Sequence, residues 1–268
     1  WAAPSANGSA ITLYTVTASG GGGTCSTSTT SCVVSGLANG TAYTFSVVAT
    51  NAAGDGPAGT SGSVTPFTVP GAPTGVSGVA GNTQVTVSWT APASTGGSNI
   101  TGYTVTAIGG SGGTCSAVAP ATSCPVTGLT NGTAYTFTVT AANAAGSSVA
   151  SAPSSNVTPF TVPDAPTAVS GVPGNAQVTV NWTAPTNTGG SAITGYTVTA
   201  SGGAGGTCTA AAAATSCAVT GLTNGTPYSF TVKATNAAGD SAASAPSSSV
   251  TPFTVPDAPT AVSGVPGN

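Results

Sequence analysis

Six cysteines are the residues of this chain whose type and spacing could do chemistry. They form three close pairs, separated by 7, 9 and 9 residues: Cys25 and Cys32, Cys115 and Cys124, Cys208 and Cys217. Six cysteines permit about fifteen pairings, and the short separations favour one disulfide inside each pair. A thiolate metal site and bonds between chains are the alternatives, and the absence of histidine weakens the first of them. Because disulfides persist outside the reducing cytoplasm, we expect an extracellular or cell-surface protein.

The other ionisable side chains are too few to build a catalytic site. The 268-residue chain has one basic residue, Lys233, four acidic residues and no histidine. The acidic residues are Asp55, Asp164, Asp240 and Asp257. General acid and base catalysis near neutral pH relies on such groups placed together in a pocket, and a serine or cysteine nucleophile needs a base beside it. We therefore expect no enzymatic activity, no cofactor and no metal.

The charge balance also excludes some classes of partner. Nucleic-acid binding needs cations that displace phosphate counterions, and a formal net charge of -3 with one lysine supplies almost none. No apolar run approaches the length of a bilayer span. We expect neither nucleic-acid binding nor membrane insertion in this segment.

One sequence period runs through the chain and must position the cysteines. Trp89 and Trp182 are 93 residues apart, as are Cys115 and Cys208, and Trp1 precedes Trp89 by 88 residues. This period predicts a first copy over 1–70 that lacks its first strands, complete copies over 71–163 and 164–256, and the first strand of a further copy over 257–268. We interpret the chain as a window on a longer tandem array. In the alternative, the C-terminal segment completes the first copy of a neighbouring chain.

Within each copy, apolar and small polar residues alternate. In the second copy the apolar members of three such runs are Val85, Val87 and Trp89; Tyr103, Val105 and Ala107; and Tyr135, Phe137 and Val139. Alternation rich in threonine and valine, with frequent turns, is typical of antiparallel strands with one buried face. The sequence predicts an all-β fold with one sandwich in each copy.

The order of the motifs resembles the fibronectin type III domain. In the second copy these are Ala72-Pro73, Trp89, Ile100-Thr-Gly-Tyr103, Gly128-Leu129-Thr-Asn-Gly-Thr-Ala-Tyr135 and Ala142-Asn143-Ala-Ala-Gly146. The resemblance implies an immunoglobulin-like antiparallel β-sandwich, with Tyr43, Tyr135 and Tyr228 as tyrosine corners whose phenols bond to nearby backbone. The core positions that it implies are Trp89, Tyr103, Leu129, Tyr135, Trp182, Tyr196, Leu222 and Tyr228. An immunoglobulin domain fits less well, because its paired cysteines bracket the tryptophan.

The sequence departs from that family's pattern at its cysteines, since the domain usually carries no disulfide. We expect each bond to clamp a glycine-rich excursion such as 109–122. The absence of arginine also excludes an Arg-Gly-Asp attachment loop.

Three further features have competing interpretations. Lys233 invites an isopeptide interpretation, but the strand alternation favours a solvated side chain. Phe67, Phe160 and Phe253 recur at the ends of the copies, where packing between domains is favoured over carbohydrate binding. Several Asn-x-Ser/Thr triplets make surface glycans a further hypothesis.

We expect a non-enzymatic structural protein, namely a tandem-repeat stalk or filament-forming subunit of a microbial cell surface or extracellular matrix. An adhesin, or an accessory binding or spacer module of a larger secreted enzyme such as a polysaccharide-degrading one, is the alternative. Little charge repulsion, sheet edges without lysine and repeated copies favour self-association with identical chains.

Overall fold

The fold is all-β, as predicted, and its strands pair in antiparallel ladders. The computed structural model describes residues 1–264 and 267, and its helical content there is a short 3-10 turn at Ser19–Gly21. Strand formation follows the alternation of side chains, since buried and exposed residues alternate strictly along Gln84–Thr90. Within the described residues, no helix has the length and hydropathy that a bilayer crossing requires.

The third copy forms two sheets that enclose a core. Its strands are β13 (Thr167–Gly174), β14 (Gln177–Thr183), β15 (Gly195–Ser201), β16 (Thr207–Ala211), β17 (Ser216–Thr220), β18 (Ser229–Asn236) and β19 (Gly239–Asp240). One sheet has the order β13-β14-β17, and the other has the order β16-β15-β18-β19. Val180, Val198 and Phe230 are fully buried in one hydrophobic cluster of this copy. Burial of such side chains contributes about 1.5 to 3 kcal/mol each to folding.

The second copy repeats this arrangement. Its strands are β6 (Thr74–Gly81), β7 (Gln84–Thr90), β8 (Gly102–Ile108), β9 (Thr114–Val118), β10 (Ser123–Thr127), β11 (Thr136–Asn143) and β12 (Gly146–Ser147). The sheet orders are β10-β7-β6 and β12-β11-β8-β9. The two copies therefore share one topology, with the cysteine-bearing strands β9 and β10 in different sheets.

The first copy consists of one sheet. Its strands are β1 (Leu13–Ala18), β2 (Thr24–Thr27), β3 (Phe45–Asn51), β4 (Gly54–Asp55) and β5 (Gly59–Thr60), in the order β2-β1-β3-β4 with β5 also paired to β3. One face of β1 and β3 lines an apolar cavity of about 820 Å³ together with Trp1. Trp1 packs on Tyr14, with ring centroids 5.4 Å apart.

The predicted first strand of a further copy, 257–268, includes residues 265, 266 and 268, which lie outside the described residues. Residues 257–264 contain no strand. The same sequence at 164–175 contains β13, which pairs with β14. This fits the general rule that a strand needs its hydrogen-bonded neighbour as well as its pattern.

The described chain packs as two compact units. One contains Trp1–Val79, Thr86–Thr127 and Thr136–Asn156, and the other contains Ala80–Val85, Gly128–Tyr135 and Val157–Asn268. The residues that join the first copy to the second therefore lie within one unit, and those that join the second to the third lie within the other.

Candidate functional site: the disulfides and the junctions between copies

The structure pairs the six cysteines within their own copies, so that each copy has one disulfide. The bonded pairs are Cys25–Cys32, Cys115–Cys124 and Cys208–Cys217, each with a Cα–Cα distance of 6.3 Å. This separation is within the ordinary range for a disulfide.

The bond does more than clamp a glycine-rich loop, which was the expectation from the sequence. Cys208 lies on β16 and Cys217 on β17, and these strands are at the edges of different sheets. The bond therefore ties the two sheets of the sandwich together. The sulfur of Cys217 also lies 3.6 Å from the backbone oxygen of Thr209 on the edge strand β16. Within the expected excursion 109–122, Thr114–Val118 form β9, which pairs with β8, and β10 begins directly after the excursion at Ser123.

The eight predicted core residues of the second and third copies are all buried. They are Trp89, Tyr103, Leu129, Tyr135, Trp182, Tyr196, Leu222 and Tyr228. In each complete copy the tryptophan packs on a tyrosine: the ring centroids of Trp89 and Tyr103 are 5.2 Å apart, and those of Trp182 and Tyr196 are 5.1 Å apart. Burial raises the pKa of Tyr103 and of Tyr196 above the ordinary value.

The three tyrosine corners have the same geometry. The phenol oxygens of Tyr43, Tyr135 and Tyr228 accept hydrogen bonds from backbone nitrogens five residues earlier, at 3.0, 3.1 and 3.1 Å. Each tyrosine also forms an isolated β-bridge to a valine near the end of its copy. The corner thus fixes the loop before the strand and the start of the segment that leads to the next copy.

The described residues contain no group of three or more His, Cys, Asp or Glu side chains that could hold a metal ion. Lys233 is exposed on β18, where it lies opposite Thr197 in the register. Its solvated position agrees with the alternation of the strand.

Backbone hydrogen bonds connect the end of one copy to two loops. At the first junction, the nitrogen of Gly40 donates to Pro66 at 2.9 Å, and the nitrogen of Thr68 donates to the oxygen of Gly96 at 2.8 Å. Equivalent bonds at the second junction join Gly132 to Pro159 at 2.9 Å and Thr161 to Gly189 at 2.8 Å. At each junction the linker is therefore hydrogen-bonded to one loop of the preceding copy and to one loop of the following copy.

A buried asparagine completes each junction. The side-chain nitrogen of Asn143 donates to the backbone oxygens of Thr68 and Thr95, both at 2.8 Å. The oxygen of the same side chain accepts from the nitrogen of Ala145 at 2.8 Å. With 7% of its surface exposed, this amide meets most of its hydrogen-bonding capacity inside the protein.

Two glycines permit the close approach of the chains. Gly96 and Gly97 have φ of 72° and 87°, which disfavour other residues. A Cβ atom on Gly96 would overlap the backbone oxygen of Thr68, and one on Gly97 would overlap the backbone nitrogen of Gly40. Gly189 and Gly190 meet equivalent backbone atoms at the second junction.

The phenylalanines at the ends of the copies differ in burial. Phe67 is 51% exposed at the first junction, whereas Phe160 is half-buried at the second. The contacts that both junctions share are the backbone and asparagine hydrogen bonds.

Comparison with known proteins identifies the fold family. The fibronectin type III domain family matches residues 1–65, 71–157 and 164–250. The chain belongs to the fibronectin type III family. Its three copies are tandem fibronectin type III domains, each with a disulfide that joins strands or segments of its own copy.

Three bacterial enzymes contain regions similar to these fibronectin type III domains. Exoglucanase B of Cellulomonas fimi is 40% identical over 207 residues, which cover 73% of this chain and 18% of that enzyme. Endoglucanase B of Cellulomonas fimi is 39% identical over 65% of this chain and 17% of the enzyme. Chitinase A1 of Niallia circulans is 36% identical over 65% of this chain and 24% of the enzyme. The chain thus spans less than a quarter of the length of each relative.

Sequence reasoning missed the residues that build the junctions between fibronectin type III domains. Asn143 stands in a sequence motif that assigns it no role, and Gly96 and Gly97 carry no prediction from the sequence. The signal available was recurrence, because both the asparagine and the glycine pair reappear 93 residues later as Asn236 and Gly189-Gly190.

Proposed function

We propose that this chain is a non-catalytic spacer module of a larger, secreted, polysaccharide-degrading enzyme. The observation that carries the proposal is the similarity to an exoglucanase, an endoglucanase and a chitinase, in each of which the matched region is a small part of the enzyme. This supports the accessory-module interpretation over the stalk or filament, which stays a prediction from the sequence.

The composition supports a role without catalysis. The chain has one Lys or Arg, four Asp or Glu and no His, so a general acid and a general base would have to come from isolated groups. The four aspartates stand at separate places in the sequence, and Lys233 lies exposed on a strand. The catalytic chemistry of the parent enzyme would then belong to another domain.

The junctions supply the mechanism of the spacer. A flexible linker samples a broad range of end-to-end distances, whereas a linker held by hydrogen bonds samples a narrow one. Each junction here uses the same asparagine, the same pair of glycines and the same backbone bonds. Successive copies would therefore add similar increments to the separation of the flanking domains.

The disulfides support a place outside the cytoplasm. Three bonds in a chain without free cysteines fit an oxidising compartment. A domain of this size buries a limited hydrophobic core, and a disulfide adds to its stability. Such stability suits a module that is exposed to proteases outside the cell.

The proposal is tested in two steps. Sequencing the gene on both sides of this chain should reveal a polysaccharide-degrading domain, and its absence from the complete gene would overturn the proposal. In the complete enzyme, deletion of residues 164–256 should leave the hydrolysis of a soluble oligosaccharide unchanged and lower the hydrolysis of insoluble polysaccharide. A matched variant in which that copy is replaced by a second copy of residues 71–163 should retain both activities. Hydrolysis of polysaccharide by the isolated chain would contradict the non-catalytic role.

A further inference from the structure

The last segment of each complete copy carries a serine at every third position. In the second copy these serines are Ser148, Ser151 and Ser154, and in the third they are Ser241, Ser244 and Ser247. All six are buried, although the residues between them are exposed. We call them the edge serines, because they lie beside β11 and β18 where each four-stranded sheet ends in the short strand β12 or β19.

Each edge serine makes a closed set of hydrogen bonds with the sheet. The backbone nitrogen of Ser151 donates to the oxygen of Val139 at 2.9 Å, and its hydroxyl oxygen accepts from the nitrogen of Val139 at 3.0 Å. The same hydroxyl donates to the oxygen of Ala152 at 2.8 Å. The third copy repeats the set between Ser244 and Val232.

This pattern differs from an ordinary edge strand. Alternate residues of a strand are roughly 6.8 Å apart, and a regular neighbour would match them with two residues of its own. Here the bonded residues of β11, which are Phe137, Val139 and Ala141, are two positions apart, whereas the serines that they bond are three positions apart. Three residues of the outer segment therefore span the same length as two residues of β11. The additional residues, such as Ala150 and Pro153, lie exposed between the serines.

The consequence concerns pairing with another chain. A strand adds to a sheet edge when backbone N–H and C=O groups repeat at strand spacing along it. In this segment the serine hydroxyls donate hydrogen bonds to the backbone oxygens of Val149, Ala152 and Ser155, so these oxygens already have a partner. Pro153 has no N–H to donate. The interrupted edge therefore offers no regular ladder to an incoming strand.

We propose that the edge serines are a built-in block against edge-to-edge pairing between copies of this chain. Soluble proteins often protect such edges with lysine, and this chain has one Lys or Arg in total. The disulfide acts at the opposite edge of the third copy's four-stranded sheet, where the Cys217 sulfur lies against the backbone of β16. The edge serines thus close one route to the self-association that the low charge favours, namely strand pairing at the β11 and β18 side of the two four-stranded sheets.

The decisive variant restores a regular strand. Deletion of Ala150 and Pro153, together with Ala243 and Pro246, leaves the serines at every second position of the full chain. We expect this variant to form dimers and larger species in sedimentation at a concentration where the wild-type chain is a monomer. The control Ser155→Ala changes the exposed serine that follows Ser154, and it should sediment like the wild type. A folded deletion variant that stays monomeric would overturn the proposal. Association of the wild-type chain that the variant Val149→Lys abolishes would also overturn it, because the edge would then be open to pairing in the wild type.

Hydrogen exchange decides the matter if the deletion variant does not fold. In the full chain with Ser151→Ala and Ser244→Ala, the amides of Val139 and Val232 should exchange about tenfold faster, because each loses the acceptor that holds the outer segment. The amide of Val105, inside the sheet on β8, should not change. Equal exchange of Val139 in this variant and in the wild type would show that the serines do not hold the edge, and the proposal would be wrong.

Discussion

The side-chain nitrogen of Asn236 lies 2.8 Å from the backbone oxygen of Thr161, a residue 75 positions earlier in the chain. Asn143 and Thr68 repeat this bond at the same distance and the same separation. The asparagine is the last residue of β18 or β11, whereas the threonine belongs to the linker that precedes the copy. One amide therefore fixes where a copy begins relative to its own last hairpin.

Replacement of the asparagine should loosen the junction. Asn143→Ala removes donors from the oxygens of Thr68 and Thr95 and should lower the free energy of unfolding by about 1 to 3 kcal/mol. Asn143→Asp should cost more at neutral pH, because a carboxylate would face the same two oxygens. Denaturant unfolding measures both, and Asn99→Ala, at an exposed asparagine of the same copy, is the control. An equal effect of Asn99→Ala and Asn143→Ala would contradict the role of the junction.

Two glycines with similar backbone angles allow the cost of backbone strain to be measured separately from the cost of a close contact. Gly97 has φ of 87° and faces the backbone of Gly40, whereas Gly128 has φ of 75° and open space around it. Alanine at either position should cost about 1 to 2 kcal/mol through the backbone angle. Only Gly97→Ala should also accelerate amide exchange at Gly40, whose nitrogen donates to Pro66. Unchanged exchange at Gly40 in this variant would show that the close approach is not needed.

The disulfides should contribute to stability copy by copy. A double variant, Cys208→Ser with Cys217→Ser, should lower the free energy of unfolding of the third copy by about 2 to 3 kcal/mol, because the open chain gains conformational entropy. Thr209→Ser on the same strand is the control. Mass spectrometry of unreduced peptides should find every bond within its own copy, and a peptide that joins Cys115 to Cys208 would contradict this pairing.

Alkaline pH should destabilise the two complete copies. Burial raises the pKa of Tyr103 and Tyr196 above 10.0, so the unfolded chain releases these protons at a lower pH than the folded chain does. The stabilisation is fully present below pH 10.0 and is lost as the pH rises above it. Urea unfolding between about pH 8 and 11 measures the decline. The double variant Tyr103→Phe with Tyr196→Phe should show a shallower decline, and an unchanged slope would assign the effect to other groups.

The fold class followed from local patterns in the sequence. Alternation such as Val85, Val87 and Trp89 reports which side of a strand is buried, and it depends only on the two-residue period of the backbone. The period of 93 residues carried this pattern from Trp89 to Trp182, and the cysteine spacing indicated one bond in each copy. These properties belong to neighbouring residues, so the sequence by itself determined them.

The tertiary structure decided which distant groups meet. Asn143 reaches Thr68 only because a strand and a linker from different parts of the chain converge, and an Asn-Ala-Ala-Gly turn has the same sequence whether or not such a linker is present. Cys208 and Cys217 link two sheets because β16 and β17 pair with different neighbours, which their short separation in the sequence does not reveal. The role of Ser151 likewise depends on Val139 across the sheet edge. In each case the energy comes from hydrogen bonds or covalent links between segments that are brought together by folding, and no local period records them.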